Sequence, residues 1–346
     1  MHKKNNFDFL RLIFASFVII SHSYPLSGSS EYDWLYQITN GQFVFSDIGV
    51  KGFFIISGFL IFQSFERSNS ILDFYWKRIL RIFPGLIVVL ILTVAFAPII
   101  YKNSSVSFWN NHSVWTYIPN NLLLYRLQYS IPGIFETNPY KSAINGSLWT
   151  IPFEFTMYLL LSLFFFIKRN RSVIKILIPA SFVLLAIGDC FFLDELQKHG
   201  FTIPNMVDLG VYFAAGSLLA LFNIRPSRYF DITALCSFVL LVVFLTLNMS
   251  ERIECILLPI IIINIGQKST KYLNQTSEKI GDLSYGIYIY GFPVQQTLFY
   301  FFGFSQFPLM VYGFLISVLF AYFSWHIIES KALTFKKYAP QGMFKH

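Results

Sequence analysis

The sequence predicts an all-α protein, a polytopic membrane helix bundle of about ten transmembrane helices. Three observations predict it. Hydrophobic residues make up 55% of the chain and charged residues only 13%, about half the charged fraction of a soluble domain. Apolar runs of about 20 residues, the length that crosses a bilayer as helix, recur along the whole chain. Phe (41) and Tyr (20) are abundant, as suits side chains that face lipid and its interfaces. The net charge of +8 then reads as basic cytoplasmic loops, and no nucleic-acid partner is expected. The three cysteines, Cys190, Cys236 and Cys255, have neither metal-site nor disulfide spacing. They read as core packing, and no metal is expected.

The expected spans are 7–26, 47–66, 82–101, 148–167, 173–193, 206–222, 229–247, 253–266, 283–303 and 307–328. Lys3 and Lys4 give the first run the look of a signal peptide. Arg11 interrupts it and no small-residue cleavage site follows, so it stays as the first span. With the N-terminus in the cytoplasm, nineteen Lys and Arg fall in inner segments, Lys3, Lys168 and Lys345 among them. Five fall outside: Lys102, Arg126, Lys141, Lys198 and Arg252. The bias puts both termini in the cytoplasm. No internal repeat stands out, which argues against an inverted-repeat transporter. In the long outer segment 102–147, the run Asn120–Arg126 reads as an amphipathic helix on the outer face.

Charges inside spans are costly and usually face protein or water. Arg11 and His22 are eleven residues apart, so on a helix they share nearly one face, roughly 16 Å apart along the axis. Ala15 and Val18 lie between them and are small. This predicts a narrow groove with a cation at its inner end and a titratable ring at its outer end. Taken alone, His22 also reads as an interfacial histidine closing a helix before Pro25, and Arg11 as a side chain snorkelling to the inner surface. As a functional group, His22 suits a general base. Gly49, Gly52, Ser57 and Gly58 permit close helix contact, and Asp47 reads as an N-cap. Arg78 and Arg81, three apart, share a face at the inner surface. They are either a positive-inside anchor or a phosphate clamp. Pro152 fits a first helical turn and places Glu154 at the positive end of the macrodipole. The sharper reading of Glu154 is an acid at the depth of His22, orienting the imidazole or binding a sugar hydroxyl. Lys51 and Glu329 also sit within spans, whereas Asp189 and Asp208, near outer span ends, are explained by interface solvation.

Several stretches, in order, resemble the acyltransferase-3 family of integral membrane acyltransferases. They are Arg11–x10–His22, Gly52-Phe53-Phe54-Ile55-Ile56-Ser57-Gly58-Phe59-Leu60, Arg78-x-x-Arg81 followed by Pro84, and Ser147-Leu148-Trp149 with Glu154. Gly281-Asp282-Leu283-Ser284-Tyr285-Gly286-Ile287-Tyr288 and Ile327-Ile328-Glu329 complete the set. The resemblance covers residues 7–329. It implies a bundle of about ten helices forming one transmembrane domain, 1–346, in a bacterial inner membrane. It implies acetyl-CoA (or another short acyl-CoA) as the donor substrate, bound from the cytoplasm. The implied acceptor is a hydroxyl of a surface glycan or lipid-linked oligosaccharide outside, such as O-antigen, lipopolysaccharide, capsule, exopolysaccharide or peptidoglycan. It also implies roles: His22 as catalytic base, Arg11 as donor-positioning residue, Arg78 and Arg81 as donor-binding pair, and Glu154 as the acid of the Trp-containing motif. The chain departs from the family at Tyr290-Gly291-Phe292-Pro293, where many members carry a histidine. His326 precedes the Ile-Glu pair and is expected to be structural. No extracytoplasmic SGNH-like hydrolase domain is expected after the last span.

Two other classes of function stay open on the sequence. One is a membrane carrier for a lipid-linked sugar or acylated intermediate, with His22, Lys51 and Glu154 lining its path. The other is a non-catalytic partner in polysaccharide assembly.

Overall fold

A computed structural model describes residues 4–102, 105–167 and 169–339. Lys3, Lys168 and Lys345, which entered the charge count, lie outside the described residues. Among the described residues every regular element of the chain is a helix, and there are no strands. Its helices are α1 (Phe7–Leu26), α2 (Trp34–Ile38), α3 (Phe45–Arg67), α4 (Ile71–Ile100), α5 (His112–Leu122), α6 (Ile151–Ser162) and α7 (Arg171–Gln197). They continue with α8 (Thr202–Leu221), α9 (Arg228–Thr246), α10 (Glu254–Gln267), α11 (Thr276–Ile280), α12 (Ser284–Phe302), α13 (Gln306–Ser324) and α14 (Ser330–Thr334). Among the described residues, eight helices are long and apolar enough to cross a membrane. The other two expected spans are helices too. Of these, α10 has 14 residues, about 21 Å of helix against a hydrocarbon core of about 30 Å. The other, α12, carries the buried pair Gln295 and Gln296.

Where boundaries moved, local chemistry explains it. Helix α4 begins eleven residues before the expected span because the Ser70 side chain caps it at Asp73 N and Lys77 pairs with Asp73 at 2.8 Å. Arg78 and Arg81 therefore sit inside a helix. Helix α3 starts at Phe45 with Val44 as its N-cap. Asp47 is thus in the first turn, not the cap, and pairs with Lys51 at 2.8 Å. In the 102–147 segment the helix is α5, ending at Leu122, not Asn120–Arg126. Asn111 caps its start at Ser113 N, and the chain reverses at Leu124 with positive φ. Pro152 stands in the first turn of α6 as expected. The last span runs through a π-helical turn at Trp325–Glu329 into α14.

At the centre, α1 packs against α3, α12 and α13, and α3 against α8. Small residues set these crossings. A Cβ on Gly58 would lie 2.1 Å from the Phe213 carbonyl oxygen, and one on Gly216 2.1 Å from that of Ile55. The peripheral helices α7 and α9 bury few residues and present apolar side chains outward, as expected where lipid is the solvent. Cys236, read from the sequence as core packing, is exposed on α9, on that outward surface. The segment between α5 and α6 is stapled onto the bundle through Gln296, whose amide nitrogen donates to Tyr140 O at 2.8 Å and Ala143 O at 2.7 Å. Asn138 Nδ2 donates to Gln296 Oε1 at 2.7 Å.

Gly216→Val should separate α3 from α8. Overpacking costs about 1–3 kcal/mol, occasionally more, so the variant should melt several degrees lower in detergent while Ala214→Val, away from that contact, does so less. Equal melting temperatures would show that the crossing is not close-packed.

Candidate functional site

Helices α1, α4 and α12 converge on one carboxylate, Asp282. Its Oδ2 accepts from Arg11 Nη2 at 2.9 Å and from Arg81 Nη2 at 2.7 Å. Ser284 Oγ donates to Oδ1 at 2.8 Å. Gly281 makes the approach feasible. Its φ is +90°, and a Cβ there would lie 2.3 Å from the Trp325 ring, so only glycine fits. Asp282 lies outside the spans. Burial pushes its carboxyl upward, but Arg11 and Arg81 outweigh burial and hold it below the usual carboxylate range. Arg11 also pairs with Asp8, which accepts from Ser277.

Arg78 differs from its neighbour. Its Nη2 donates to Ser64 Oγ at 3.0 Å, and its guanidinium lies over the rings of Phe74 and Tyr158 at 5.6 and 5.9 Å. Among the described residues it pairs with no carboxylate, and its Nε is buried without a partner, as is that of Arg11. These groups line a cavity of about 1170 Å³ whose wall carries eight basic side chains against four acidic ones. Glu154 is one of the four. Its Oε1 accepts from Ser57 Oγ at 3.1 Å and from the Tyr158 hydroxyl. Arg11, Arg78, Arg81 and Glu154 therefore share one chamber.

His22 is not in that chamber. It lines a second pocket of about 340 Å³ at the far end of α1. Its ring meets Phe292 edge-on at 5.3 Å, and its Nδ1 is buried without a partner. Glu154 thus does not orient the imidazole, contrary to the reading that put the two at one depth. The 3-10 turn Gly146–Thr150 precedes α6 and delivers Glu154 to the basic cavity. The expected groove along Ala15 and Val18 is filled. Both are buried, and α3 lies against them so closely that a Cβ on Gly49 would meet Phe14 O at 2.7 Å. The small residues serve helix packing.

Aromatic side chains of α12 pack between the basic cavity and the His22 ring. Tyr288 lines the basic cavity with Phe53, its ring 5.8 Å from that of Phe53 and its hydroxyl 2.8 Å from Thr150 Oγ1. Phe292, one turn further along α12, packs on His22 and on Tyr140 at 5.7 Å. Four residues of helix, about 6 Å, separate Tyr288 on the cavity wall from Phe292 on the His22 ring.

The remaining charged candidates fall elsewhere. Lys51 is buried against Glu254, with Asp208 at 3.9 Å, and Tyr212 donates to Glu254 at 2.6 Å. Asp208 faces this network rather than the interface, and Lys51 lines neither chamber. Asp189, Cys190 and Cys255 bring their donor atoms within 4.8 Å of one another, a grouping that sequence spacing did not announce. Glu329 is buried beside Gly85 and accepts from Ser324 Oγ at 2.7 Å. His326 Nδ1 donates to Tyr322 O at 2.9 Å on the exterior. Sequence reasoning missed Asp282 as the hub of the site. It lies 271 residues from Arg11, and only its place in the family-like motif marked it.

A helix bundle with a basic vestibule at one end and a titratable ring at the other, built largely of apolar helices, defines a multi-pass membrane protein. The family model of the acyltransferase-3 type, an acyltransferase domain, matches residues 4–328. The chain belongs to that family, and it is a membrane acyltransferase. It is 29% identical over 339 residues to an O-acetyl transferase of Shigella phage Sf6, covering 96% of this chain and 97% of that protein. It is 26% identical over 367 residues to Nodulation protein 10 of Rhizobium leguminosarum bv. viciae, covering 95% and 93%. No solved structure matches it.

Asp282→Asn removes one negative charge from the cavity wall, whereas Arg81→Ala removes a cation. Titrated with pyrophosphate, the first variant should bind about tenfold more tightly than the parent and the second about tenfold more weakly. Identical affinities in all three would show that anions do not enter.

Proposed function

We propose that the protein is an O-acetyltransferase of the bacterial inner membrane. It moves an acetyl or other short acyl group from cytoplasmic acyl-CoA to a hydroxyl of an extracytoplasmic glycan. The observation that carries this reading is the pair of chambers on α1, basic at one end and holding His22 at the other. The excess of Lys and Arg in the inner loops supports the basic chamber as the cytoplasmic one. Arg78, which has no carboxylate partner among the described residues, and Arg81 bind the phosphates of the donor. Arg11, fixed by Asp8 and Asp282, positions the arm that carries the thioester. Glu154 fixes Tyr158 and Ser57 in the donor chamber.

The thioester passes the partition at Tyr288 and Phe292 to reach His22. The imidazole takes the proton of the acceptor hydroxyl as the oxygen attacks the thioester carbonyl. The C–O bond forms, the C–S bond breaks, and CoA leaves toward the cytoplasm as a thiolate that recovers a proton. A carrier role is less well supported, because Lys51 is engaged in an ion network away from both chambers.

Incubation of the purified protein with radiolabelled acetyl-CoA and cell-surface glycans tests the proposal, with mass spectrometry locating the acetyl group. His22→Ala should lower transfer by about 10²–10⁴ with CoA binding intact. Joint replacement of Arg78 and Arg81 by Ala should weaken CoA binding at least about tenfold. Transport of an unmodified sugar without CoA release would support the carrier instead.

A further inference from the structure

The pocket that holds His22 also carries information about the acceptor. It is built where the end of α1 meets residues 29–33 and the start of α3. Hydroxyl groups dominate its wall: Ser21, Ser29, Ser30, Ser46, Tyr24 and Tyr32. Two carboxylates, Glu31 and Asp33, complete the polar lining, and neither Lys nor Arg contributes. The contrast with the other chamber, where basic side chains outnumber acidic ones two to one, is complete.

The two carboxylates do different things. Asp33 is 2% exposed and fully engaged. It accepts from the Ser21 hydroxyl, from Phe45 N at 3.0 Å and from Tyr36 N at 3.2 Å. Ser21 Oγ in turn accepts from Ser46 N at 2.8 Å. This buckle joins α1, α2 and α3 and pre-forms the pocket. Glu31 is exposed and makes no ion pair among the described residues, so its charge faces whatever enters. Tyr32 is also exposed and is backed by the Tyr36 ring at 4.3 Å, giving a flat apolar face beside the hydroxyls. At about 340 Å³ the pocket is at the small end of ligand sites, with room for roughly one or two sugar rings.

Resting on the O-acetyltransferase reading, we infer that this pocket is the acceptor site and that it selects a neutral sugar residue against a uronate or other anionic sugar. The serine and tyrosine hydroxyls exchange hydrogen bonds with sugar hydroxyls. Tyr32 offers its ring to the apolar face of the pyranose, and His22 meets the hydroxyl to be acylated. A carboxylate on the acceptor would face Glu31 with no cation to answer it. Like charges a few ångströms apart disfavour such a complex by about tenfold or more.

The test uses the full chain in lipid nanodiscs, radiolabelled acetyl-CoA, and an immobilised panel of bacterial polysaccharides. Half of the panel has wholly neutral repeat units and half contains uronic acid. The parent protein should label neutral residues, and any uronate-containing polymer only at a neutral sugar remote from the carboxylate. Glu31→Lys should shift the ratio of anionic to neutral labelling by at least about tenfold, with CoA binding at the other chamber confirming its fold. Parent labelling on uronate residues, or a ratio unmoved by Glu31→Lys, overturns the selectivity and leaves acyl transfer standing. No label on any glycan, with CoA bound, overturns the transferase reading itself.

Discussion

The shared carboxylate of Asp282 is the interaction on which the site depends. It receives Arg11 from α1 and Arg81 from α4 while sitting at the entrance to α12. A guanidinium taken into a membrane bundle is costly unless its charge is answered nearby. One carboxylate answering two arginines leaves a surplus of positive charge, which Asp8 reduces at Arg11. Three helices far apart in sequence are thereby tied at one level, and the cavity opens among them. The same arrangement leaves Arg78 held, among the described residues, by Ser64 and by aromatic faces. An incoming anion meets its charge without displacing a protein carboxylate, as it does those of Arg67, Arg225 and Lys336 on the same wall, which make no ion pair among the described residues.

The second constraint is the partition. Along α12, Tyr288 lines the basic cavity and Phe292, four residues on, packs on His22, so packed rings lie between the cavity and the imidazole. Under the proposed function, in which an acyl thioester enters from the basic chamber, this separation has a chemical use. Water that reached both chambers freely would compete with the acceptor for the acyl group. Side-chain rotation at two aromatic positions is a small movement compared with the rocking of whole helix bundles that alternating access requires. The fold therefore suits a group transferred through a wall better than a whole molecule carried across it.

Much of this was legible in the sequence, for identifiable reasons. Apolar runs and Lys/Arg bias report on lipid and water, which act on every residue in the same way, so the all-helical class and most span positions could be read. Arg11, Arg78 and Arg81 could be singled out by their spacing and by the family-like motifs, although snorkelling and a positive-inside anchor explained them as well. The groove along Ala15 and Val18 was misjudged because a small residue signals either space or close approach, and sequence does not say which. Here Gly49 on α3 closes in and the space is gone. Glu154 was misplaced because depth was read from residue number along an assumed straight span, whereas a 3-10 turn and a 12-residue helix occupy that place. Asp282 and Asp33 could not be assigned at all. Each acts through partners brought together only by tertiary packing.

The charge network around Lys51 shows why a bundle rich in polar groups can still hold a site in one arrangement. Lys51 and Phe53 are two residues apart, about 200° around α3, so they point to opposite sides. Phe53 and Ser57 face the basic cavity, while Lys51 turns to Glu254 of α10 and Asp208 of α8. A buried ion pair is weak evidence for stability, since desolvation offsets most of the attraction. Its geometric demand is strict, because breaking it strands a charge in a low-dielectric interior. Rotation or sliding of α3 would strand Lys51, and the glycine contacts with α8 forbid the same motion sterically. With α3 fixed on its far side, the face it presents to the cavity keeps one register, and the Ser57 hydroxyl stays in reach of Glu154.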